Sequence, residues 1–227
     1  MQTDDAELEF ADLLAASAHD IKNSLSMALT WIDAIGKRTS ADDATHRELA
    51  ELAYEVRRSN DNLVKLLALY RIGRFQYPLN ISDYEVAGVL EELSIEFKPL
   101  LQAKGIELSV DCPADLWGCF DRDLVLGILN NGVNNAFRYA KRHLRISARE
   151  DDGYLVLCAE DDGAGYPEHM HLGRAPAPQD FRGGRSGLGL YFAAKVASMH
   201  RQAEREGFIS VTNGGRFGGG CFCLYLP

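Results

Sequence analysis

At 227 residues the chain can form one or two domains and bury a real core. Hydrophobic residues make up 46% and charged residues 25%, a balance that excludes extensive disorder. The formal net charge of -9 disfavours nonspecific binding to DNA or anionic membrane, since both draw on surplus lysine and arginine.

The acidic start, Met1 to Glu9, lacks the basic-then-apolar plan of a signal peptide. No stretch reaches the roughly 18 to 20 apolar residues of a membrane helix, so no membrane segment is expected in the chain. From about Asp5 to Lys37 there is no proline, and the first glycine is Gly36. Ala11, Leu14, Ala18, Ile21, Leu25, Ala28, Ile32 and Ile35 recur at steps of three and four, the seam of a long helix. Lys37 to Asp43 is short and polar, with Ser40 and Asp42 as caps. A second seam runs through Leu49, Leu52, Val56, Ser59, Leu63, Leu66 and Tyr70, with Ser59 its one polar interruption. Two such helices make an antiparallel hairpin whose outer edges stay apolar. Pairing two hairpins into a four-helix bundle is the natural way to cover them, the alternative being packing on the chain's own C-terminal half.

Gly73 to Asp83 reads as a linker through Gly73, Pro78, Asn80 and Ser82. The texture beyond it is mixed. Val86 to Lys104 is predicted helical with a kink at Pro99, Ile106 to Val110 a strand, and Asp121 to Ala140 a helix. Leu144 to Ala148 and Tyr154 to Ala159 are predicted as neighbouring strands joined at Asp151-Asp152-Gly153. Ser186 to His200 is helical, and Phe208 to Thr212 and Phe222 to Leu226 close the chain as strands. The fold class expected is a long helical hairpin (1–76) followed by an α/β domain (77–227), a sheet with helices on one face. Glu168 to Gly184 is a long irregular loop of the kind that serves as a lid. The five cysteines show no zinc spacing, and all five are expected to be reduced, in a cytosolic protein. Cys221 and Cys223, two apart on one strand, share a face.

Four segments can carry chemistry. In Ser17-Ala18-His19-Asp20-Ile21-Lys22-Asn23, Ala18 and Ile21 lie on the seam, which puts His19 and Asp20 beside it, and Asn23 falls one turn after His19. An imidazole with an adjacent carboxylate is a plausible nucleophile; taken alone, a solvated surface histidine is the commoner reading. Asn130, Asn131, Asn134 and Asn135 sit inside one helix, a cost in propensity that local structure does not explain. Their amides suit a magnesium ion carrying nucleotide phosphates, with Arg138 three residues beyond Asn135, though capping or buried hydrogen bonding is the plain alternative. Glu160-Asp161-Asp162-Gly163-Ala164-Gly165 follows a strand, where a carboxylate can accept from the exocyclic amine of adenine and glycines allow close approach. Gly183-Gly184-Arg185-Ser186-Gly187-Leu188-Gly189-Leu190 runs into a helix whose first amides can cradle phosphate.

Taken in order, HDIKNSL, NNGVNNAFRY, DDGAG and GRSGLGL resemble the phosphoacceptor, N, G1 and G2 boxes of the two-component histidine kinases. The resemblance covers nearly the whole chain and implies a dimerising phosphotransfer hairpin followed by a Bergerat-type α/β sandwich. It implies ATP and Mg2+ as cofactors and autophosphorylation of His19, assisted by Asp20, with Asn23 orienting water or partner in the reverse reaction. It assigns magnesium to Asn135, support to Asn131, and nucleotide contacts to Arg138 and Tyr139. Adenine goes to Asp161 with Gly163 and Gly165, and the phosphate loop to Gly187 and Gly189. The implied partners are a response-regulator receiver domain, a second copy of the chain through the hairpin, and a sensory input domain or protein supplied in trans, because fewer than twenty residues precede His19. Ser24 stands where many members have proline, Arg185 replaces a common glycine, and Phe181 is the one candidate for the family's phenylalanine-rich box.

Two other readings compete. A histidine phosphotransfer adaptor would share the architecture with a decayed nucleotide domain, but Asn135, Asp161, Gly187 and Gly189 are all present. A kinase of the same ATPase fold acting on serine would leave HDIKN and its seam unexplained.

Overall fold

The computed structural model describes residues 2–38, 43–73, 78–170 and 187–227. The chain divides into two compact units, Met1–Tyr77 and Pro78–Pro227. Unit 1 holds α1 (Gln2–Arg38) and α2 (Asp43–Gly73), packed on each other. A Cβ added to Gly36 near the end of α1 would lie 3.9 Å from Leu49 Cδ1 near the start of α2, so the two helices meet as a hairpin. Ser24 does not interrupt α1: its hydroxyl donates to the Asp20 carbonyl at 2.9 Å, a back-bond that serine makes and proline cannot.

The predicted seams are only half inside this hairpin. Ala18 is buried and Leu25, Ala28 and Ile32 are partly covered, but Ile21, Ile35, Leu52 and Leu66 are exposed, as are Met27 and Trp31. Ser59 is no interruption, since it faces out and donates to the Glu55 carbonyl; among the described residues of α2 the buried polar one is Lys65. Burial pushes the Lys65 ammonium down and the Asp61 carboxyl, one turn earlier, up, while their mutual attraction opposes both shifts.

Unit 2 starts with β1 (Ile81–Glu85), which pairs antiparallel with β3 (Trp117–Asp121). Between them lie α3 (Val86–Ala103) and β2 (Glu107–Asp111). After β3 come α4 (Arg122–Tyr139), β4 (His143–Asp151), β5 (Tyr154–Asp161), one turn of 3-10 helix at Glu168–Met170, and α5 (Gly187–Met199). The short β6 (Arg201–Gln202) and β7 (Arg205–Glu206) form a hairpin, and β8 (Phe208–Asn213) and β9 (Gly220–Leu226) end the chain. The main sheet has the order β2-β4-β5-β9-β8, parallel only between β2 and β4. The predicted α/β layering is present, while β1, β3, β6 and β7 were not foreseen. The linker reading hid β1, and β6 and β7 are too short and polar to show a period.

One face of the sheet packs on α3, α4 and α5. Leu157, Phe222, Leu224 and Ile209 supply that face, and Leu93, Ile128, Leu129 and Val196 meet it from the helices. Phe222 presses so closely on α4 that a Cβ at Gly132 would lie 2.6 Å from its ring. That contact explains a glycine inside a helix, where it costs about 1 kcal/mol against alanine. Pro99 leaves α3 unbroken because it lies on the solvent side, where the carbonyl it cannot pair with reaches water. Asp152 and Gly153 both have positive φ, 49° and 71°, which makes the β4–β5 turn a tight hairpin.

β5 is buried on both faces. Its outward residues Tyr154, Val156 and Cys158 join Cys223 in a second apolar cluster, flanked by Phe208, Cys221 and Tyr225. This cluster corrects the expectation of five reduced cysteines. Cys158 and Cys223 are directly opposite in the β5–β9 register and form a disulfide. Composition could not show it, because the pairing depends on register rather than spacing. Cys112, Cys119 and Cys221 are free thiols.

Candidate nucleotide site

α4 organises the site. Asp121 caps it by accepting from the Leu124 amide at 3.1 Å, and Asp121 also holds the start of β1 through the Asn80 amide at 2.9 Å. The Asp121 amide donates in turn to His200 Nε2 at 3.1 Å, while His200 Nδ1 lies 3.0 Å from the Val196 carbonyl. The ring thus accepts on one nitrogen and donates on the other, the neutral tautomer, and burial lowers its pKa. This polar pin joins the end of α5 to the start of α4.

Asn131 is buried on α4, and a Cβ at Gly189 would overlap its Oδ1, so the first turn of α5 rests directly on Asn131. Asn135 and Arg138 are partly covered further along α4, and Tyr139 is exposed at its end. The turn after β5 is fastened to the same place. Asp162 accepts from the amides of Lys141 at 2.7 Å and Arg142 at 3.0 Å. Burial pushes the Asp162 carboxyl up, but these amides and others together outweigh it and its pKa is lowered. A Cβ at Gly163 would overlap the Tyr139 carbonyl. Glycine is therefore required there by close approach.

Asp161 is the buried carboxylate at the end of β5, on the helix-facing side of the sheet. Its Oδ1 accepts from the amides of Gly163 at 2.7 Å and Gly220 at 3.4 Å, while Oδ2 receives no hydrogen bond among the described residues. Burial raises its pKa, the two amides pull it back, and the neighbouring Asp162 adds to the rise. The arrangement leaves one carboxylate oxygen to accept a donor such as an exocyclic amine.

Sequence reasoning missed the parts that hold this turn from β8 and β9. Asn213 clamps Tyr166 in both directions, accepting from its amide at 2.6 Å and donating to its carbonyl at 2.8 Å. Gly165, at φ 79°, has no room for a Cβ beside Asn213. Burial, then Asp161, pushes the Tyr166 phenol well above its ordinary value, and its ring lies 3.0 Å from where a Cβ of Gly220 would be. The run Gly218-Gly219-Gly220 was the available signal, but it reads as a turn until the backing of Asp161 is seen.

The C-terminal half of α4 carries Asn131, Asn135, Arg138 and Tyr139, with Gly189 against Asn131 and Gly163 against the Tyr139 carbonyl; Asp161 and Gly165 lie in the turn backed by Gly220 and Asn213, and Gly187 starts α5. His19, Asp20 and Asn23 lie on α1 in the other unit, with Asp20 and Asn23 exposed; the His19 side chain falls outside the described part. Phe181, Gly183 and Gly184 of the predicted lid, and Arg185 and Ser186 of the predicted phosphate loop, lie outside the described residues. The glycine cradles and the open Asp161 oxygen fit an adenine nucleotide. Among the described residues no group of three or more His, Cys, Asp or Glu side chains is placed to hold a metal. No helix among them is long and apolar enough to cross a membrane.

Residues 120–227 match the family described as histidine kinase-, DNA gyrase B-, and HSP90-like ATPase. The chain more broadly resembles two-component sensor histidine kinases, and this domain corresponds to their ATPase core. It is 29% identical over 219 residues to the sensor-like histidine kinase SenX3 of Mycobacterium tuberculosis, covering 88% of this chain and 51% of that protein. It is 27% identical over 120 residues to the sensor protein PhoQ of Escherichia coli, covering 52% of this chain and 24% of that protein. The chain therefore spans about half or less of these relatives. Among solved structures, full-length ShkA in complex with AMPPNP aligns over 95% of this chain and 45% of its own, at TM-score 0.64 and 19% identity. Acinetobacter baumannii histidine kinase AdeS aligns over 90% and 95%, at TM-score 0.58 and 18% identity. These structures share the fold.

Proposed function

We propose that the chain is the core of an ATP-dependent protein-histidine kinase, which phosphorylates its own His19 and passes the phosphoryl group to an aspartate on a response-regulator receiver domain. In this reading residues 1–76 dimerise and carry the phosphoacceptor, 77–227 bind Mg-ATP, and input comes from a sensory domain or protein in trans, on the cytoplasmic side. The observation that carries it is the assembly of Asn131, Asp161, Gly163 and Gly189 around one helix, each glycine filled against a site residue.

Each residue then has a defined task. Asp161 Oδ2 accepts from the adenine amine, and Gly163 keeps the backbone clear of the ring. The amides at the start of α5 face phosphate oxygens, Asn131 supports that turn, and Arg138 offsets phosphate charge. Magnesium, when bound with Asn135 as a ligand, neutralises charge on the outer phosphates. Asp20 holds the His19 imidazole in the tautomer that leaves one nitrogen free to attack, and Asn23, one turn on, orients water or partner in the reverse reaction. Incubation with labelled ATP and magnesium tests the reading. Acid-labile, base-stable label is expected on the protein and absent in His19→Gln, with nucleotide binding retained. No ATP binding at millimolar concentration would instead support an adaptor.

A further inference from the structure

The outer face of the sheet holds a thiol group unrelated to the nucleotide contacts. Cys158 and Cys223 lie side by side on β5 and β9, Cα atoms 4.2 Å apart, and are joined. Cys221 Sγ lies 3.7 Å from Cys223 Sγ on the same face of β9. Arg149 Nη1 lies 3.7 Å from Cys158 Sγ. We propose that this is a reversible thiol–disulfide modification site, in which Cys221 relays exchange between a small disulfide in solution and the buried Cys158–Cys223 pair.

Three observations separate it from a static cross-link. β5 and β9 are already paired without a break from Leu155 to Glu160, so reduction leaves two small apolar side chains in the same fold. Both bonded cysteines are buried, at 2% and 6% residue exposure, whereas Cys221 is partly exposed. A static bond has no use for a third thiol in contact with it.

The chemistry balances with a disulfide RSSR as oxidant. The Cys221 thiolate attacks one sulfur of RSSR, forming Cys221–S–SR and releasing one RS−. The Cys223 thiolate attacks the Cys221 sulfur, releasing the second RS− and forming a transient Cys221–Cys223 bond. The Cys158 thiolate, beside the Arg149 guanidinium, then attacks the Cys223 sulfur and returns Cys221 as thiolate. Overall the two protein thiols lose two electrons and two protons, and RSSR becomes two RSH. The reverse sequence with excess thiol reopens the bond, with Cys158 leaving beside Arg149. Burial and then the Glu160 carboxylate raise the Cys221 pKa, while Thr212 and Arg149 oppose the rise, so exchange is slow at neutral pH and faster in base.

The native full chain, equilibrated in glutathione buffers and then alkylated, tests this. Full thiol count is expected in reduced buffer, and in oxidised buffer the loss of two thiols, mapped to Cys158 and Cys223. Cys221→Ser, with unchanged melting temperature, should reach the same disulfide at least about tenfold more slowly, since direct attack on a buried sulfur is hindered. Five free thiols at every ratio would overturn the site. So would a bond that resists about a hundredfold excess of dithiothreitol in the folded protein, which would make it a permanent cross-link. A Cys221→Ser variant that oxidises at the wild-type rate would overturn the relay.

Discussion

The two units solve the problem of a core differently. In unit 2 a five-stranded sheet is covered by three helices, and Leu93, Ile128, Leu157 and Phe222 are almost fully withdrawn from water. In unit 1 the only apolar side chains buried among the described residues are Ala18 and Ile72. A sheet and a helical layer enclose volume between them, whereas two helices share a single line of contact and leave their outer edges wet. Trp31 at 62% and Leu66 at 51% exposure are such edges. Unit 2 is thus self-sufficient, and unit 1 is a surface in need of a second layer, which the proposed function supplies as another copy.

The sharpest way to break this contrast is a charge on the exposed edge. Leu66→Glu costs little in an isolated hairpin, because the side chain already meets water. In a four-helix bundle it buries an unpaired carboxylate, so light scattering is expected to show dimers for the parent chain and monomers for the variant. Residues 78–227 alone are expected to be monomeric and to melt cooperatively. A monomeric parent chain at micromolar concentration would end the bundle interpretation.

The same contrast governs what could be read from sequence. Regular periods and short turns make α1 to α5, β2, β4, β5, β8 and β9 legible, and the asparagine and glycine segments point to the candidate site. Three things escaped because they depend on three-dimensional registration. Which half of each seam faces inward is set by helix rotation, so Lys65 is inside and Ile21 is outside. The Asn213–Tyr166 clamp joins positions 47 residues apart with no local pattern. The Cys158–Cys223 bond follows from cross-strand register.

Within unit 2, function and stability are expected to part at Asp161. Loss of a hydrogen bond to a charged acceptor costs about 1.5–3 kcal/mol, so Asp161→Asn should weaken adenine nucleotides by about tenfold or more in calorimetry. The nucleotide-free protein should behave oppositely. Burial raises the folded pKa of Asp161 above its unfolded value, so the group favours folding only while protonated, and that contribution is lost as pH rises through the folded pKa. At pH 7 the ionised carboxylate costs stability, and asparagine keeps an acceptor for the Gly163 amide without the charge. A higher melting temperature with weaker binding is the expected pair of results; a lower one would show that the carboxylate stabilises the turn.

The smallest effect is expected at His200, and it appears only on acidification. The imidazole is neutral in the fold, with Nε2 accepting from the Asp121 amide and Nδ1 donating to Val196. Burial lowers its folded pKa below the unfolded value near 6.5; the Val196 bond and then the Asp121 carboxylate oppose that shift without cancelling it. A lowered folded pKa means stability is present above the unfolded pKa and is lost as pH falls toward and through the folded one. Each unit of displacement is worth about 1.4 kcal/mol, so the loss is gradual. Protonating Nε2 also turns an acceptor into a donor facing the Asp121 amide, which loosens the joint between α4 and α5. The melting temperature of residues 78–227 should therefore fall between pH 7 and pH 5. His200→Gln should flatten that slope, at the cost of a lower melting temperature at pH 8. An unchanged slope in the variant would assign the acid sensitivity to other groups and leave the pin a purely geometric one.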